Sequence, residues 1–314
     1  IIVLIVSIVA LTNVGTLKRP HLDVPSIILS TFAFGGLLYG FSSASTMGWD
    51  SPVVIGSIAV GVVALVWFIH RQLHIDEPLL QLRALKTPTF AYSAIIVTVV
   101  NSALAVGSVI LPIYLQNVLG LTAFETGILM TPGAVATIFL SPVSGMLFDK
   151  FGPRVIAIVG LTGLTASLAA LSFVDDTTVV AYLVVFYVIQ SSGLTLANMP
   201  VTTWGINALP NDMIAHGNAI SNTGRQVGGA VSTALIVTVM TMVTSANAEA
   251  GPVASTAAGI DVAYGISAAV AAIALIIAIL KVRNPKKKAV ATPAAQEAAA
   301  YAVDMQEAQE GAGR

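Results

Sequence analysis

Charged residues are scarce in this chain: only 9% of its 314 residues are Asp, Glu, Lys or Arg. A soluble domain carries about 25% charged residues, so this chain has too few of them to cover a water-facing surface. Its hydrophobic content of 56% instead predicts a polytopic membrane protein built from α-helices. The formal net charge of -1 indicates no basic surface for nucleic acid.

Cysteine is absent from the chain, which excludes disulfides, thiolate metal sites and cysteine nucleophiles. The sequence also contains no phosphate-binding G-x-x-x-x-G-K-[ST] run, so we do not expect ATP-driven pumping within this chain. The histidines lie in or near predicted cytosolic loops and have no partner set for zinc: His21, His70, His74 and His216. We therefore expect neither an enzyme nor a metal site, and no bound cofactor.

Long apolar runs fill most of the chain, and about 20 such residues suffice to cross a membrane. Eight full-length spans are predicted at 24–43, 52–69, 91–115, 126–147, 154–173, 179–203, 217–243 and 259–281. Residues 1–17 are also apolar and start with Ile, so we interpret them as the end of a longer helix and the chain as a fragment. Residues 284–314 are rich in Ala, Gln and Glu and predict a cytosolic tail.

Basic residues gather in alternate loops, as expected for the cytoplasmic side of a membrane. They are Lys18 and Arg19, then Arg71, Arg83 and Lys86, then Lys150 and Arg154, then Lys281, Arg283, Lys286, Lys287 and Lys288. The opposite loops carry no Lys or Arg, and their charged residues are all acidic: Asp50, Glu125, Asp175, Asp176, Glu249 and Asp261. This split predicts a multi-pass protein with its C-terminus in the cytoplasm.

One loop combines charge and glycine in the stretch "GMLFDKFGPR" at 145–154. It fits the pattern G-x-x-x-D-[RK]-x-G-x-[RK] with Gly145, Asp149, Lys150, Gly152 and Arg154. The residues of this stretch, taken by themselves, predict a positively charged cytosolic turn. Gly145 would admit a close neighbouring helix, and Asp149 would lie near the positive N-terminal end of the next helix.

This pattern resembles the loop signature of the major facilitator superfamily, where it joins the second and third helices of a six-helix half. Two predicted spans precede it and four follow, so residues 90–283 are predicted to form a C-terminal six-helix bundle. The two spans in 18–89 resemble the extra linking pair of the fourteen-helix drug:proton antiporter branch. "LPIYLQNVLGLTAFETGILMTPG" (111–133) and "HGNAISNTGRQVGGAVSTAL" (216–235) also resemble that branch. Residues 1–17 would then end a sixth helix.

The resemblance implies a secondary transporter of the bacterial inner (plasma) membrane. It implies proton-coupled efflux of lipophilic or cationic drugs by alternating access, with the proton gradient as the energy source. The implied partners are small-molecule substrates, protons, membrane lipids and the missing N-terminal helices. No acidic residue is predicted deep in a span, so we do not expect this piece to transport alone. The alternative is a non-transporting membrane subunit, or a truncated remnant with a binding or assembly role.

Arg225 is the one Lys or Arg that lies in the interior of a predicted span and not at its end. It lies roughly 12 Å from the cytosolic end of its helix at 1.5 Å per residue. An Arg in a span costs at least about 2.5 kcal/mol unless it is paired or lies in a cavity. Polar and small residues share its face in steps of four and three: Asn218, Asn222, Arg225, Gly229 and Ser232. We predict that this stripe lines a transport pathway and that Arg225 pairs with a carboxylate or carbonyl across it; the alternative is that Arg225 snorkels to the headgroups.

Small residues beside this stripe predict close helix packing: Gly224, Gly228 and Gly229. Gln190 and Asn198 place polar groups in the span 179–203. Each could contact a substrate in the pathway or form a hydrogen bond with a neighbouring helix, and the sequence does not favour one over the other.

Overall fold

A computed structural model describes residues 23–75, 78–174 and 178–284, apart from the side chain of Ser45. Several predictions lie outside the described residues: the helix end at 1–17, the tail beyond 284, Lys18, Arg19, His21, Asp175, Asp176, Lys286, Lys287 and Lys288. The chain separates into two compact units, residues 1–282 and 283–314, and every helix described below belongs to the first unit.

The described residues form seven α-helices. They are α1 (Val24–Met47), α2 (Pro52–His74), α3 (Pro88–Asn117), α4 (Ala123–Ala170), α5 (Val180–Ile206), α6 (Ile214–Ala246) and α7 (Pro252–Lys281). Short 3-10 turns occupy Leu82–Lys86, Leu171–Phe173, Asn211–Met213 and Ala248–Ala250. Four of the helices have proline in the first turn, where its missing N–H is not needed. Seven helices in the described part are long and apolar enough to cross a membrane.

α4 is much longer than one bilayer crossing requires. Its 48 residues would extend about 72 Å, more than twice the roughly 30 Å of membrane hydrocarbon. Gly152 alone departs from helical geometry inside it, with φ 78° and ψ 172°. This left-handed φ is accessible to glycine at little cost. α4 therefore consists of a first arm (123–151) and a second arm (153–170) joined at Gly152.

The two arms lie along α5 in opposite directions. On the first arm, residue numbers rise together with those of α5, in the pairs Gly133–Tyr187 and Gly145–Met199. On the second arm they run in opposite senses, in the pairs Gly163–Ile189 and Gly160–Ala197. The chain therefore reverses at Gly152, and each of the eight predicted full-length spans lies within a described helix or one arm of α4, apart from at most three residues at one end. The all-helical membrane fold class is confirmed; the domain boundary predicted at residue 90 stays a prediction.

The main core lies where α3, α5, α7 and the second arm of α4 meet. Tyr114, Tyr264 and Leu161 are among its largest fully buried side chains. Glycine allows the closest approach between elements: a methyl group on Gly193 would lie 2.6 Å from the carbonyl oxygen of Gly160. Backbones can approach this closely only where no side chain intervenes.

α1 and α2 form a hairpin that packs through its own glycines. A methyl group on Gly36 of α1 would lie 2.8 Å from the carbonyl oxygen of Ser57 and 3.0 Å from Cα of Gly61, both on α2. The hairpin contacts the rest of the molecule chiefly through α1, which lies against α6. This placement gives α1 a side that faces the six-helix region.

Candidate functional site: a cavity around Arg225

A cavity of about 1040 Å³ lies between α1, α3 and α6. Fifteen residues line it: Leu38, Tyr39, Phe41 and Ser42 from α1, Asn101, Leu104, Ala105 and Ser108 from α3, and Asn222, Arg225, Gln226, Gly229, Ala230, Thr233 and Ala234 from α6. Its volume lies at the upper limit for small-molecule sites, which hold about 300–1,000 Å³. The mixture of aliphatic, aromatic, amide and hydroxyl groups suits an amphipathic molecule.

Arg225 lies half-buried on the cavity wall. Its guanidinium donates a hydrogen bond from Nη2 to the side-chain carbonyl oxygen of Asn222, one turn earlier on the same helix. Residues three apart on a helix lie on one face, which explains this pairing. This acceptor lies beside Arg225 on the same helix, so the predicted pairing with a carboxylate or carbonyl across the pathway stays a prediction. Within the described ranges the guanidinium forms no ion pair.

The predicted polar stripe on α6 is divided between two cavities. Asn222, Arg225 and Gly229 line the large cavity, whereas Ser232 lines a separate space of about 180 Å³ between α3, α6 and α7. Asn218 is exposed and is not among the lining residues of either cavity. α3 contributes different residues to each space, so it separates them.

The glycines predicted for helix packing lie against α3. Gly228 and Gly224 face Thr98, and a methyl group on Gly224 would lie 3.0 Å from the Thr98 hydroxyl oxygen. Gly229 lies beside Ala105, with a methyl group on the glycine 3.5 Å from the alanine Cβ. The missing side chains let α3 approach α6 closely enough to form the cavity wall.

Polar groups of α3 are partly satisfied by their own helix. The Asn101 amide donates to the carbonyl oxygen of Val97 at 2.8 Å, and the Ser108 hydroxyl donates to that of Ala105 at 2.8 Å. The amide oxygen of Asn101 accepts no hydrogen bond within the described part of the chain. It therefore adds an acceptor to a wall on which Arg225 is the strongest donor.

α1 is held against α6 by a contact at the turn between α1 and α2. The Trp49 indole N–H donates to the Thr238 hydroxyl oxygen at 2.6 Å. The Trp49 ring also meets Phe41 edge to face, with 6.0 Å between ring centroids. Because Phe41 lines the cavity, this contact positions part of the cavity wall. Sequence analysis missed the contribution of α1, because the bond joins residues 189 positions apart.

Gln190 and Asn198, the other predicted pathway residues, are not among the lining residues of the cavity. Gln190 is buried on α5 beside Gly107 of α3. Its amide oxygen has no hydrogen-bond partner among the residues that the structure describes. The backbone carbonyl of Asn198 accepts from the Thr202 hydroxyl at 2.7 Å within the same helix. The structure thus separates these two residues from Arg225.

The loop motif forms the reversal at Gly152. Arg154 donates from Nη2 to the carbonyl oxygen of Ile279 at 3.3 Å, near the C-terminal end of α7, where a cation is electrostatically favourable. Lys150 lies 5.3 Å from the ring centroid of the adjacent Phe151. Asp149 is exposed and forms no hydrogen bond to another described residue. The predicted contact between Asp149 and the next helix start stays a prediction.

One acidic residue lies elsewhere than the sequence analysis assigned it. Asp261 was assigned to an outer loop, but it lies inside α7, which begins at Pro252. The segment between them is made of Ala, Ser, Thr, Gly and aliphatic residues, none of which ends a helix as proline would. The Oδ1 atom of Asp261 is buried, so a carboxyl group is present within a candidate span.

Comparison with known proteins gives one family and several relatives. The family model described as Major Facilitator Superfamily matches residues 26–233. The chain is 39% identical over 294 residues to the uncharacterized MFS-type transporter YcnB of Bacillus subtilis strain 168, covering 94% of this chain and 62% of that protein. It is 37% identical over 286 residues to the lincomycin resistance protein LmrB of Listeria monocytogenes, covering 89% and 61%.

A more distant relative is the tetracenomycin C resistance and export protein of Streptomyces glaucescens. It is 26% identical over 238 residues, which cover 76% of this chain and 44% of that protein. The chain thus spans about three fifths of the length of YcnB and of LmrB.

Proposed function

We propose that this chain, which belongs to the Major Facilitator Superfamily, is part of a membrane transporter that exports small molecules. The observation that carries this proposal is the cavity of about 1040 Å³ around Arg225, between helices long and apolar enough to span a membrane. Relatives named for lincomycin resistance and for tetracenomycin C resistance and export support small-molecule efflux.

The finer proposal is proton-coupled antiport by a fourteen-helix transporter of the bacterial inner membrane, with the proton gradient as its energy source. Its support is the loop motif, the two helices before the six-helix region, and the greater length of the relatives. The alternating basic loops support a cytoplasmic C-terminus. The remaining helices of the transporter, protons and membrane lipids are its proposed partners.

The proposed mechanism is rocking of two helical bundles around a central cavity. In this mechanism Arg225 contacts the substrate from the cavity wall that α6 forms. The glycines next to Arg225 on α6 pack against α3. The reversal at Gly152 joins two spans on the cytosolic side, where its charges face water and headgroups. An Arg inside a span is costly, and that cost is offset when it contacts a polar substrate or water in a cavity.

The test is efflux by the full-length product of the gene in a pump-deficient bacterial host. Accumulation of lincomycin and of fluorescent dyes is measured with and without a protonophore that collapses the proton gradient. We expect wild-type cells to accumulate less of at least one compound, and the protonophore to abolish the difference. If cells shown to express the protein accumulated none of the compounds to a lower level, that result would support the non-transporting alternative.

Arg225 is tested in the same assay with Arg225→Ala and Arg225→Lys at matched expression. We expect Arg225→Ala to lower efflux at least about tenfold, as when a charged contact worth more than 1.4 kcal/mol is lost. Arg83→Ala is the matched control, because Arg83 is exposed in the segment between α2 and α3 and does not line the cavity. Wild-type efflux by both Arg225 variants would contradict a role for this residue in the pathway.

A further inference from the structure

The charge of the cavity has one sign. In the described part of the chain, α1, α3 and α6 supply all of its lining residues, and none of these three helices contains an Asp or Glu. Among these described lining residues, Arg225 is the one that carries a permanent charge. The other polar groups are amides and hydroxyls, including Asn101, Asn222 and Gln226. A positive charge with no carboxylate among the described lining residues repels a cation.

α1 supplies the opposite wall of the cavity, and part of that wall is apolar beside the hydroxyl groups of Tyr39 and Ser42. Leu38 and Phe41 line it there, and Leu104 of α3 extends the apolar surface. The Trp49–Thr238 hydrogen bond holds this part of α1 against α6. A molecule in the cavity would therefore meet a cationic donor on one side and an apolar surface on the other. The α1–α2 hairpin, which sequence analysis treated only as a linker, supplies this apolar part of the wall through α1.

We propose that this cavity selects amphiphiles whose polar group is uncharged or anionic and accepts hydrogen bonds, and that it excludes cations. The Arg225 guanidinium has five N–H donors, and one described acceptor, Asn222, uses only part of them. The remaining donors suit a carbonyl, carboxylate, sulfonate or phosphate oxygen, while Leu38 and Phe41 contact the apolar part. This inference rests on the proposed function. It narrows the substrate class of lipophilic or cationic drugs that the family resemblance implied.

Three dansyl probes that differ mainly in charge test this selectivity: dansylglycine (anionic), dansylamide (neutral) and dansylcholine (cationic). The full-length protein is placed in nanodiscs of phosphatidylcholine, and fluorescence titration gives each Kd, with empty nanodiscs as the blank. We expect dansylglycine and dansylamide to bind at least about tenfold more tightly than dansylcholine. Equal affinity for dansylcholine and dansylglycine would overturn the proposal.

Substitutions in the cavity separate charge from shape. Arg225→Gln keeps an amide donor without the charge, so dansylglycine should weaken about tenfold while dansylamide changes little. Gln226→Glu adds a carboxylate to the wall with almost no change in size, so dansylcholine should gain affinity and dansylglycine should lose it. Arg83→Ala, outside the cavity, should leave all three values unchanged. If neither cavity variant changed the order of affinities, the assigned role of Arg225 would be wrong.

Anionic lipid headgroups share the chemistry of an anionic solute. Nanodiscs that contain phosphatidylglycerol distinguish the two sources, because a lipid occupant would displace dansylglycine from the wild-type protein but not change the blank. Displacement of dansylglycine would indicate that a lipid headgroup occupies the cavity, and retention of dansylglycine would indicate a solute. Both results agree with the assigned chemistry. Efflux in cells tests the proposed function separately: efflux combined with charge-independent probe binding would overturn this inference alone.

Discussion

Asp23 forms an ion pair that ties the start of α1 to the end of α2. Its Oδ1 lies 2.9 Å from Nη2 of Arg71, and its Oδ2 accepts from the Arg71 Nε at 3.2 Å. Hydrogen bonds from Arg71 and, next, from Ser26 lower the pKa of Asp23 from 3.8 to about 2. Because the folded-state pKa is lowered, the stabilisation is fully present above pH 3.8 and is lost as the pH falls through about 2.

We therefore predict that Asp23→Asn reduces the acid sensitivity of the protein. At neutral pH the thermal midpoint should fall by no more than about 3 °C, since an ion pair that stays in contact with water contributes little. Between pH 4 and pH 2 the wild type should lose part of its advantage over the variant, measured by differential scanning fluorimetry in detergent. Asp50→Asn is the control, because Asp50 is exposed and forms no ion pair in the described part of the chain. Parallel pH curves for wild type and Asp23→Asn would contradict the prediction.

Gln72 is buried in the same region and should matter more than the ion pair. Its Nε2 donates to the Ser26 hydroxyl oxygen at 2.7 Å, and its Oε1 accepts from the backbone N–H of Leu80 at 2.9 Å. Gln72→Leu removes both bonds and leaves the Leu80 N–H without its acceptor. We predict a loss of about 1–3 kcal/mol in the free energy of unfolding. Gln81→Leu, at a half-buried neighbouring position, is the control; a smaller effect from Gln72→Leu than from Asp23→Asn would contradict this ranking.

At the scale of elements, the contact between the second arm of α4 and α5 depends on two glycines. A methyl group on Gly193 would lie 2.6 Å from the Gly160 carbonyl oxygen and 2.6 Å from the Leu164 backbone nitrogen. Backbone atoms cannot move aside as a flexible side chain can, so the two helices would have to separate. We predict that Gly193→Ala destabilises the protein by about 1–3 kcal/mol, measured by thermal or denaturant unfolding in detergent.

Gly127→Ala is the matched control, because Gly127 is also helical and nothing lies within 4 Å of an added methyl group. That variant should be neutral or more stable by up to about 1 kcal/mol, since alanine is the better helix former. A similar loss from both variants would show that the Gly160–Gly193 approach is not the cause.

Apolar run length predicts the spans well, because burying backbone groups in hydrocarbon requires a helix of about 20 residues. The Gly152–Pro153 pair likewise predicts the reversal, since glycine accepts the required φ and proline suits the first turn of a helix. The start of α7 at Pro252 was not predicted, because residues 254–258 are Ala, Ser and Thr, which are too weakly apolar to be recognised as part of a membrane span although alanine favours a helix. The contribution of Phe41 to the cavity could not be predicted, because it depends on contacts between distant parts of the chain.

At the scale of the whole molecule, the cavity exists only while the α1–α2 hairpin stays on α6. At the turn between α1 and α2, the described contact with α6 is the hydrogen bond from the Trp49 indole N–H to the Thr238 hydroxyl oxygen. We predict that Trp49→Phe keeps the ring contact with Phe41 but lets α1 move away from α6. Because these 314 residues contain no cysteine, Ser42→Cys and Thr233→Cys, on facing walls, introduce a pair for cross-linking once any cysteine elsewhere in the full-length protein is replaced.

The Trp49–Thr238 bond can be isolated from other effects by a double-mutant cycle on this cysteine-pair background. Trp49→Phe and Thr238→Val should each slow cross-linking of the pair in the full-length protein, since each removes one partner of the bond. The double variant should slow it no further than the more severe single variant, because the shared bond can be lost only once. Thr241→Val is the control, as Thr241 is exposed and bonds only within its own helix among the described residues. Additive effects of the two substitutions would mean that they act on α1 by separate routes, and the bond would not hold the hairpin in place.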